Sequence, residues 1–406
     1  MTHHPDSALL PADTPSSGGE RAEPSTGAPG VGRLIGLDLA RGLAVFGMYA
    51  VHVGPAPAQG GVIGFLMELA QGRSSALFAV LAGFAVALIT GRRAPKTGLA
   101  GRQAVAKVII RAVILLALGT ALTLTGTPVV PILAFYGLFF LLVLPLYRLG
   151  ARPLALIAAG WALVGPQLLY ALKPVVGGRV FLSYGQADGP VSLFFTGGYP
   201  ALTWVPFVIA GMAVARCDLT ATAVRIRLAL TGVALAVTGY GGSWLAVRLV
   251  PGAAEAVRKA EEGSGMSSVS SVSSVSPDSI GIFGDTPAGM LASAPHSEAT
   301  LSIMAATGVA ILVITSCLAA MDAFPRLRRL AKPVIAVGSM SLTAYVYHIV
   351  AIWLLDTERS AVPPTYVLLG FIVSIALLAT LWSRFFQRGP LEWLMGKATG
   401  IARRIR

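Results

Sequence analysis

Apolar stretches of about twenty residues recur along this chain, and that recurrence leaves few folds open to it. A bilayer core is about 30 Å thick, so a spanning helix needs about 20 apolar residues. Ten segments approach that length: 34–54, 66–90, 105–125, 128–147, 153–172, 198–215, 226–249, 299–320, 333–355 and 363–386. In lipid every backbone polar group must be satisfied internally, so these segments should form helices. The expected fold class is all-α: a polytopic integral membrane protein of about ten transmembrane helices. Composition agrees. The 406 residues are 55% hydrophobic and only 12% charged, against roughly 25% charged in a soluble domain.

The net charge of +13 invites a nucleic-acid reading, but the basic residues sit in short clusters between apolar segments. That is the pattern of topology signals. Counted with the segment ends beside them, alternate connections and the two termini hold 23 of the 31 Lys and Arg residues, and the other connections hold seven. Arg41 lies within a segment. The positive-inside rule then places both termini in the cytoplasm, and an even helix count fits. The expected location is the plasma membrane, multi-pass, with the lipid bilayer as a partner and no nucleic acid. Cys217 and Cys317 lie near or within apolar segments, which suggests neither a disulfide framework nor a zinc site.

Residues 1–32 are rich in Pro, Ser, Gly and Ala and read as a disordered cytoplasmic tail. Residues 33–396 form the transmembrane domain, and 397–406 a basic cytoplasmic tail. Two outer connections are long, 173–199 and 250–298. The second contains SSVSSVSSVS at 267–276, which cannot build a core and marks about 250–298 as a flexible extracytoplasmic insert.

Residues 33–55, RLIGLDLARGLAVFGMYAVHVGP, could span a bilayer yet carry Asp38, Arg41 and His52. Charges in a spanning helix cost about 2.5–3.5 kcal/mol each and by default mark a functional site. At 100° per residue Arg41 and His52 lie on nearly one line, about 16 Å apart along the axis. Asp38 is one turn before Arg41, and Tyr49 falls on the Asp38 line. A lipid-facing surface would not tolerate this stripe, so it should face a cavity or another helix. On the ninth segment Ser341, Tyr345 and His348 share a second polar line. Outside the tail the only histidines are His52, His296 and His348, and topology puts all three on the outer side at similar depth.

Imidazole titrates near neutrality and can move a proton or carry an acyl group. An intramembrane Arg stays charged and can hold a phosphate or carboxylate, and Asp38 can pair with it. Each residue also has a purely structural counterpart. His52 could be an interfacial residue, His348 an interhelical hydrogen bond, His296 a loop cap and Asp38–Arg41 a locking ion pair. Glu68 and Arg73 could simply be solvated. The chain has no Walker-type loop, HExxH, GxSxG elbow or metal-spaced Cys/His cluster.

RLIGLDLARGLAVFGM (33–48) resembles the first helix of heparan-α-glucosaminide N-acetyltransferase-like proteins, with their Leu-Asp…Arg-Gly pattern. The spacing of Arg41 and His52, ten residues between them, is similar to the signature of bacterial membrane O-acyltransferases. LFAVLAGFAVAL (77–88) resembles the second helix of both. GGYPALTWVPFVIAGMAVAR (197–216), GSMSLTAYVYHIV (338–350) and RGPLEWL (388–394) resemble an uncharacterised actinobacterial membrane family of the same transmembrane acyltransferase superfamily. The resemblance implies transfer of an acyl group, most simply acetyl, from cytosolic acyl-coenzyme A to a hydroxyl or amine of an extracytoplasmic, sugar-containing acceptor. Acetyl-coenzyme A would be the co-substrate, with no metal. His52, His348 and His296 are then the candidate catalytic residues, and Arg41, Asp38, Arg73 and Tyr345 the candidate substrate-binding ones. Which histidine would act stays open, as does a homo-oligomeric state. A transporter or exporter of a small or lipid-linked solute is the alternative, and a non-catalytic role in envelope assembly a third.

Overall fold

The computed structural model describes residues 35–180, 191–264 and 287–405. The expected tail 1–32 and the serine run 267–276 lie outside the described residues. The described chain is all-helical, without strands. In order come α1 (Ile35–Val53), α2 (Gly61–Ala70), α3 (Arg73–Thr90), α4 (Gly98–Thr123) and α5 (Ile132–Val143). Then follow α6 (Ala151–Val180), α7 (Ala201–Arg216), α8 (Thr222–Leu249), α9 (Ala253–Ser264) and α10 (Thr300–Ala323). The last five are α11 (Pro325–Leu330), α12 (Lys332–Ser339), α13 (Ser341–Leu355), α14 (Pro364–Phe385) and α15 (Pro390–Gly400).

Each expected apolar segment is helical. Among the described residues six helices are long and apolar enough to cross a membrane, or seven if α12 and α13 count as one bent span. α5 and α7 are shorter apolar helices, and α1, continuous over 19 residues, carries Asp38, Arg41 and His52.

With lipid outside, no hydrophobic gain drives helix against helix, so packing relies on close approach at small residues. α1 is gripped this way on three sides. Gly36 lies on the backbone of Leu318 in α10, Gly42 on the Val334 carbonyl of α12, and Gly47 on the Ser74 hydroxyl of α3. α3 and α7 meet reciprocally, Gly83 against the Val208 carbonyl and Gly211 against that of Val80. The outer helices show the opposite pattern. Only 11% of the most apolar window of α8 is buried, against 56% for α10, and Val113, Leu163, Val237 and Leu377 point outward.

One expectation needs correction. The segment 333–355 is not one helix, because the chain bends by 88° between α12 and α13. The backbone amides of Leu342 and Thr343, freed at the break, donate to one Glu392 carboxylate oxygen at 2.8 and 3.1 Å. The Thr343 hydroxyl donates to the other at 2.6 Å. Before the break, Gly338 sits so tightly on Asp38 that a Cβ there would come within 1.7 Å of the Asp38 carbonyl oxygen. α12 thus grips α1 at one level, and α13 leaves in a new direction.

Of the stretch 250–298, residues 250–264 and 287–298 are described. Residues 253–264 form α9, and 287–299 fold back onto the bundle, with Ala292, Ser297, Glu298 and Ala299 buried.

A methyl group at Gly338 would have to push α12 off α1. Overpacking of this kind costs about 1–3 kcal/mol, occasionally more. Gly338→Ala should therefore lower the thermal midpoint of the purified protein clearly. Gly370→Ala in α14, where nothing lies within 4 Å, should leave it unchanged or slightly raised. Equal shifts for the two variants would refute this packing.

Candidate functional site

The two polar stripes meet. α13 crosses the second half of α1, and the Tyr49 hydroxyl donates to the Ala344 carbonyl at 2.6 Å. One turn further His52 Nδ1 lies 3.0 Å from His348 Nε2, a hydrogen bond in which one imidazole donates and the other accepts. Their rings stack at 5.2 Å, 6° from parallel. His348 is fully buried, with the Tyr49 ring at 4.8 Å and the Tyr345 ring edge-on at 4.9 Å. Tyr345 is anchored in turn, its hydroxyl accepting from the Ile132 amide at 3.0 Å. Phe78 of α3 stacks between Tyr345 and Tyr136.

A third wall comes from the loop before α10. His296 and Glu298 both adopt positive φ, +57° and +56°, which bulky non-glycine residues rarely tolerate and which clusters at functional sites. The surroundings hold the strain. Pro295 presses on Gly72, itself at φ +63°, and Ser302 donates to the Ala294 carbonyl at 2.8 Å. The Glu298 carboxylate is buried against α7, accepting from the Trp204 indole at 2.9 Å and from the Thr203 hydroxyl. Trp204 stacks on His296 at 5.5 Å, with Tyr199 edge-on at 5.6 Å. His296 is also within electrostatic range of His52.

Three buried polar atoms here have no hydrogen-bond partner among the described residues: His296 Nδ1, Ser297 Oγ and the Tyr136 hydroxyl. Buried polar groups are nearly always paired, so each exception calls for an explanation. Tyr136 belongs to the aromatic stack that reaches His348 through Phe78 and Tyr345, and Ser297 adjoins His296 in the chain.

Asp38 and Arg41 occupy the other half of α1. The guanidinium donates to Asp38 Oδ1 at 2.9 Å, with Asp38 buried and Arg41 about one-fifth exposed. Arg111 of α4, counted in the sequence only as a topology charge, lies within electrostatic range of Arg41, Arg388 and Glu392. Arg73 stands apart from this group. Its guanidinium donates to the Tyr240 hydroxyl at 2.7 Å and to the Glu68 carbonyl at 2.6 Å, tying α3 to α8.

The structure thus brings His52 and His348 into contact and His296 beside them, with Tyr345 packed on His348. Asp38 and Arg41 form a second centre, about 16 Å away along α1 by helix rise. Sequence reasoning missed Glu298, Glu392 and Arg111. Glu298 is two residues from His296 and Glu392 sits in RGPLEWL, so both lay in noted segments. Their roles depend on contacts with distant helices.

Glu298 and His296 lie outside the spanning helices, and their protonation bears on stability. Burial raises the Glu298 carboxyl from 4.5 to about 7, against the opposing hydrogen bonds of Thr203 and Trp204. Burial lowers His296 from 6.5 to about 4. The folded protein therefore keeps a Glu298 proton that the unfolded chain releases above about pH 4.5. The stability this contributes is present at low pH and is lost as pH rises through about 7. His296 works oppositely, its contribution lost as pH falls from about 6.5 through 4. In Glu298→Gln the first dependence disappears. The melting temperature of the wild type minus that of Glu298→Gln should fall by several degrees between about pH 4.5 and pH 8. A flat difference would show that Glu298 is not held protonated.

Comparison with known families divides the chain. Residues 286–402 match the family described as protein of unknown function (DUF418). Comparison with curated proteins returned no match. Residues 33–245, just over half of the chain, carry α1 to α8 and match the family described as heparan-alpha-glucosaminide N-acetyltransferase, catalytic, so the chain belongs to that family of membrane acetyltransferase-like proteins.

Proposed function

We propose that this protein is a ten-helix membrane acyltransferase. It would move an acetyl group from cytosolic acetyl-coenzyme A to a hydroxyl or amine on a sugar-containing acceptor beyond the membrane. The observation that carries this reading is the single helix α1. It presents a paired Arg41 toward one end and the His52–His348 pair toward the other, in the segment that matches the acetyltransferase family.

In this reading both termini face the cytoplasm and the histidines the outer side. Arg41, steadied by Asp38, holds the anionic or carbonyl part of the donor. His52 accepts the proton of the acceptor hydroxyl or amine as its oxygen or nitrogen attacks the thioester carbon. The new acyl bond forms as the carbon–sulfur bond breaks, and the proton returns to the departing coenzyme A thiolate. His348 orients His52 through the 3.0 Å hydrogen bond and shares its proton. His296, packed under Trp204, supports the acceptor side.

A second reading has one observation in its favour. A helix broken inside a bundle, as between α12 and α13, is a feature of transporters. A transporter would move its solute with the histidines replaced or weakened in coupling, and would consume no acetyl-coenzyme A.

In reconstituted vesicles loaded with labelled acetyl-coenzyme A, His52→Ala should lower acetyl transfer about 10²–10⁴-fold. His348→Ala should have a smaller effect than His52→Ala. Unchanged transfer in His52→Ala would remove His52 from the chemistry, and no transfer by the wild type to any envelope fraction would remove the reading itself. Arg41→Gln should mainly raise the KM for acetyl-coenzyme A, by about tenfold or more, because it loses a charge-assisted contact to the donor. A fall in kcat with KM unchanged would place Arg41 elsewhere. Comparing envelope glycans and glycolipids of wild-type and deletion strains by mass would identify the acceptor, as a species lacking one acyl group.

A further inference from the structure

A different part of the molecule has the chemistry of a ligand site. After α14 the chain turns at Arg388-Gly389 and runs back as α15. Between them opens a cavity of about 1080 Å³. Its walls are aromatic: Trp382, Phe386 and Trp393 line it, with Trp382 and Phe386 stacked at 4.4 Å. Its cations are Arg388, Lys397 and Arg403, and among the described residues no acidic side chain lines it. Lys397 lies over the Trp393 ring at 5.4 Å. Arg384 and Arg404 flank the cavity in sequence.

The aromatic wall is unusually open. Phe385 is 79% exposed, and Phe386, Trp393 and Leu394 are each more than half exposed. They continue the outward face of α14, where Leu369, Val373, Leu377 and Leu381 also point out. The groove is therefore continuous with the surface that meets acyl chains, and its rim is cationic. Aromatic residues settle at the membrane interface, and clusters of basic residues just beyond a spanning helix attract anionic headgroups. α15 is built to stay at that level. Met395 and Ala402 are buried beneath it, and the Ile405 carbonyl accepts from Gln103 of α4 at 3.1 Å.

The groove is also joined to the candidate site. Glu392 of α15 receives the amides of Leu342 and Thr343, and Leu391 donates its amide to the Thr343 hydroxyl at 3.1 Å. Tyr345 and His348 follow within the next two turns of α13. Arg388, at the groove, shares the electrostatic neighbourhood of Arg111 with Arg41.

We propose that the groove between α14 and α15 binds an anionic phospholipid, its phosphate on Arg388, Lys397 and Arg403 and its chains along Phe385, Phe386 and Trp393, and that Glu392 transmits occupancy to the start of α13. This site does not depend on the acyltransferase reading. The groove's aromatic walls open onto the bilayer, which favours a lipid over a water-soluble phosphate.

The test uses the full-length protein in nanodiscs of phosphatidylcholine with or without phosphatidylglycerol. Lipid carried through delipidation is identified by native mass spectrometry. The wild type should retain phosphatidylglycerol over phosphatidylcholine by about a hundredfold, since each of three basic residues near the surface contributes about fivefold. The triple variant Arg388→Gln, Lys397→Gln, Arg403→Gln should lose that preference, and the charge-preserving pair Lys397→Arg, Arg403→Lys should keep it, which separates charge from misfolding. In the wild type phosphatidylglycerol should also slow hydrogen exchange at Leu342 and Thr343. Glu392→Gln should weaken that protection while retaining the lipid. Equal retention of both lipids by the wild type would overturn the assignment, as would a preference surviving in the triple variant. So would coenzyme A or inorganic phosphate binding the groove while phosphatidylglycerol does not. Lipid retention without any change at Leu342 and Thr343 would overturn the link to α13.

Discussion

A helix broken inside an apolar bundle must find acceptors for the amides it frees, and that requirement organises this protein. In hydrocarbon an unsatisfied peptide group costs several kcal/mol, so a break persists only where a partner is supplied. Here the partner is Glu392, which arrives about fifty residues later on α15 and accepts both amides at the start of α13. Because of that cap α12 can stay pressed on the first half of α1, with Gly338 on the Asp38 carbonyl. α13 is then free to cross the second half. Had 332–355 continued as one helix, it could not have followed both directions. The contact of His52 with His348 is a consequence of the bend.

The same economy of polar partners governs the other end of the site. The loop before α10 carries its strain at His296 and Glu298 because α3, α7 and α10 hold it from three sides. Glu298 is occupied with Trp204 and Thr203, and His296 is left with an unpartnered ring nitrogen beside the imidazole pair. An acid whose carboxyl burial raises to about 7 and a base whose imidazole burial lowers to about 4 sit two residues apart.

Much of this was legible in the sequence. Apolar length alone located the helices, because the bilayer imposes one length on every span. Helical arithmetic on Asp38, Arg41, Tyr49 and His52, and on Tyr345 and His348, identified the two stripes, because a polar face in a spanning helix has nowhere to go but inward. The bend at Met340 was not legible. No proline marks it, and the residue that holds it is remote in the chain. Arg111 read as a topology charge because nothing local distinguishes an arginine facing Arg41 from one facing lipid headgroups. The role of Glu298 was not legible for a similar reason, since its partners Thr203 and Trp204 lie about 95 residues earlier in the chain.

The division of the family matches adds a constraint on how the site can be built. The acetyltransferase match ends at residue 245 and contains Asp38, Arg41 and His52, whereas His296, His348 and Glu392 all fall within 286–402. α1 is packed against α3 from its own segment and against α10, α12 and α13 from the other. Neither segment surrounds the polar stripe of α1 alone: α3 covers one side, and α10, α12 and α13 cover the others. The two segments must therefore fold as one bundle. A partner for His52 could not be lost from the second segment without leaving an unpaired imidazole in the first. In the proposed reading, α1 works against a wall supplied by the segment that matches the family described as of unknown function.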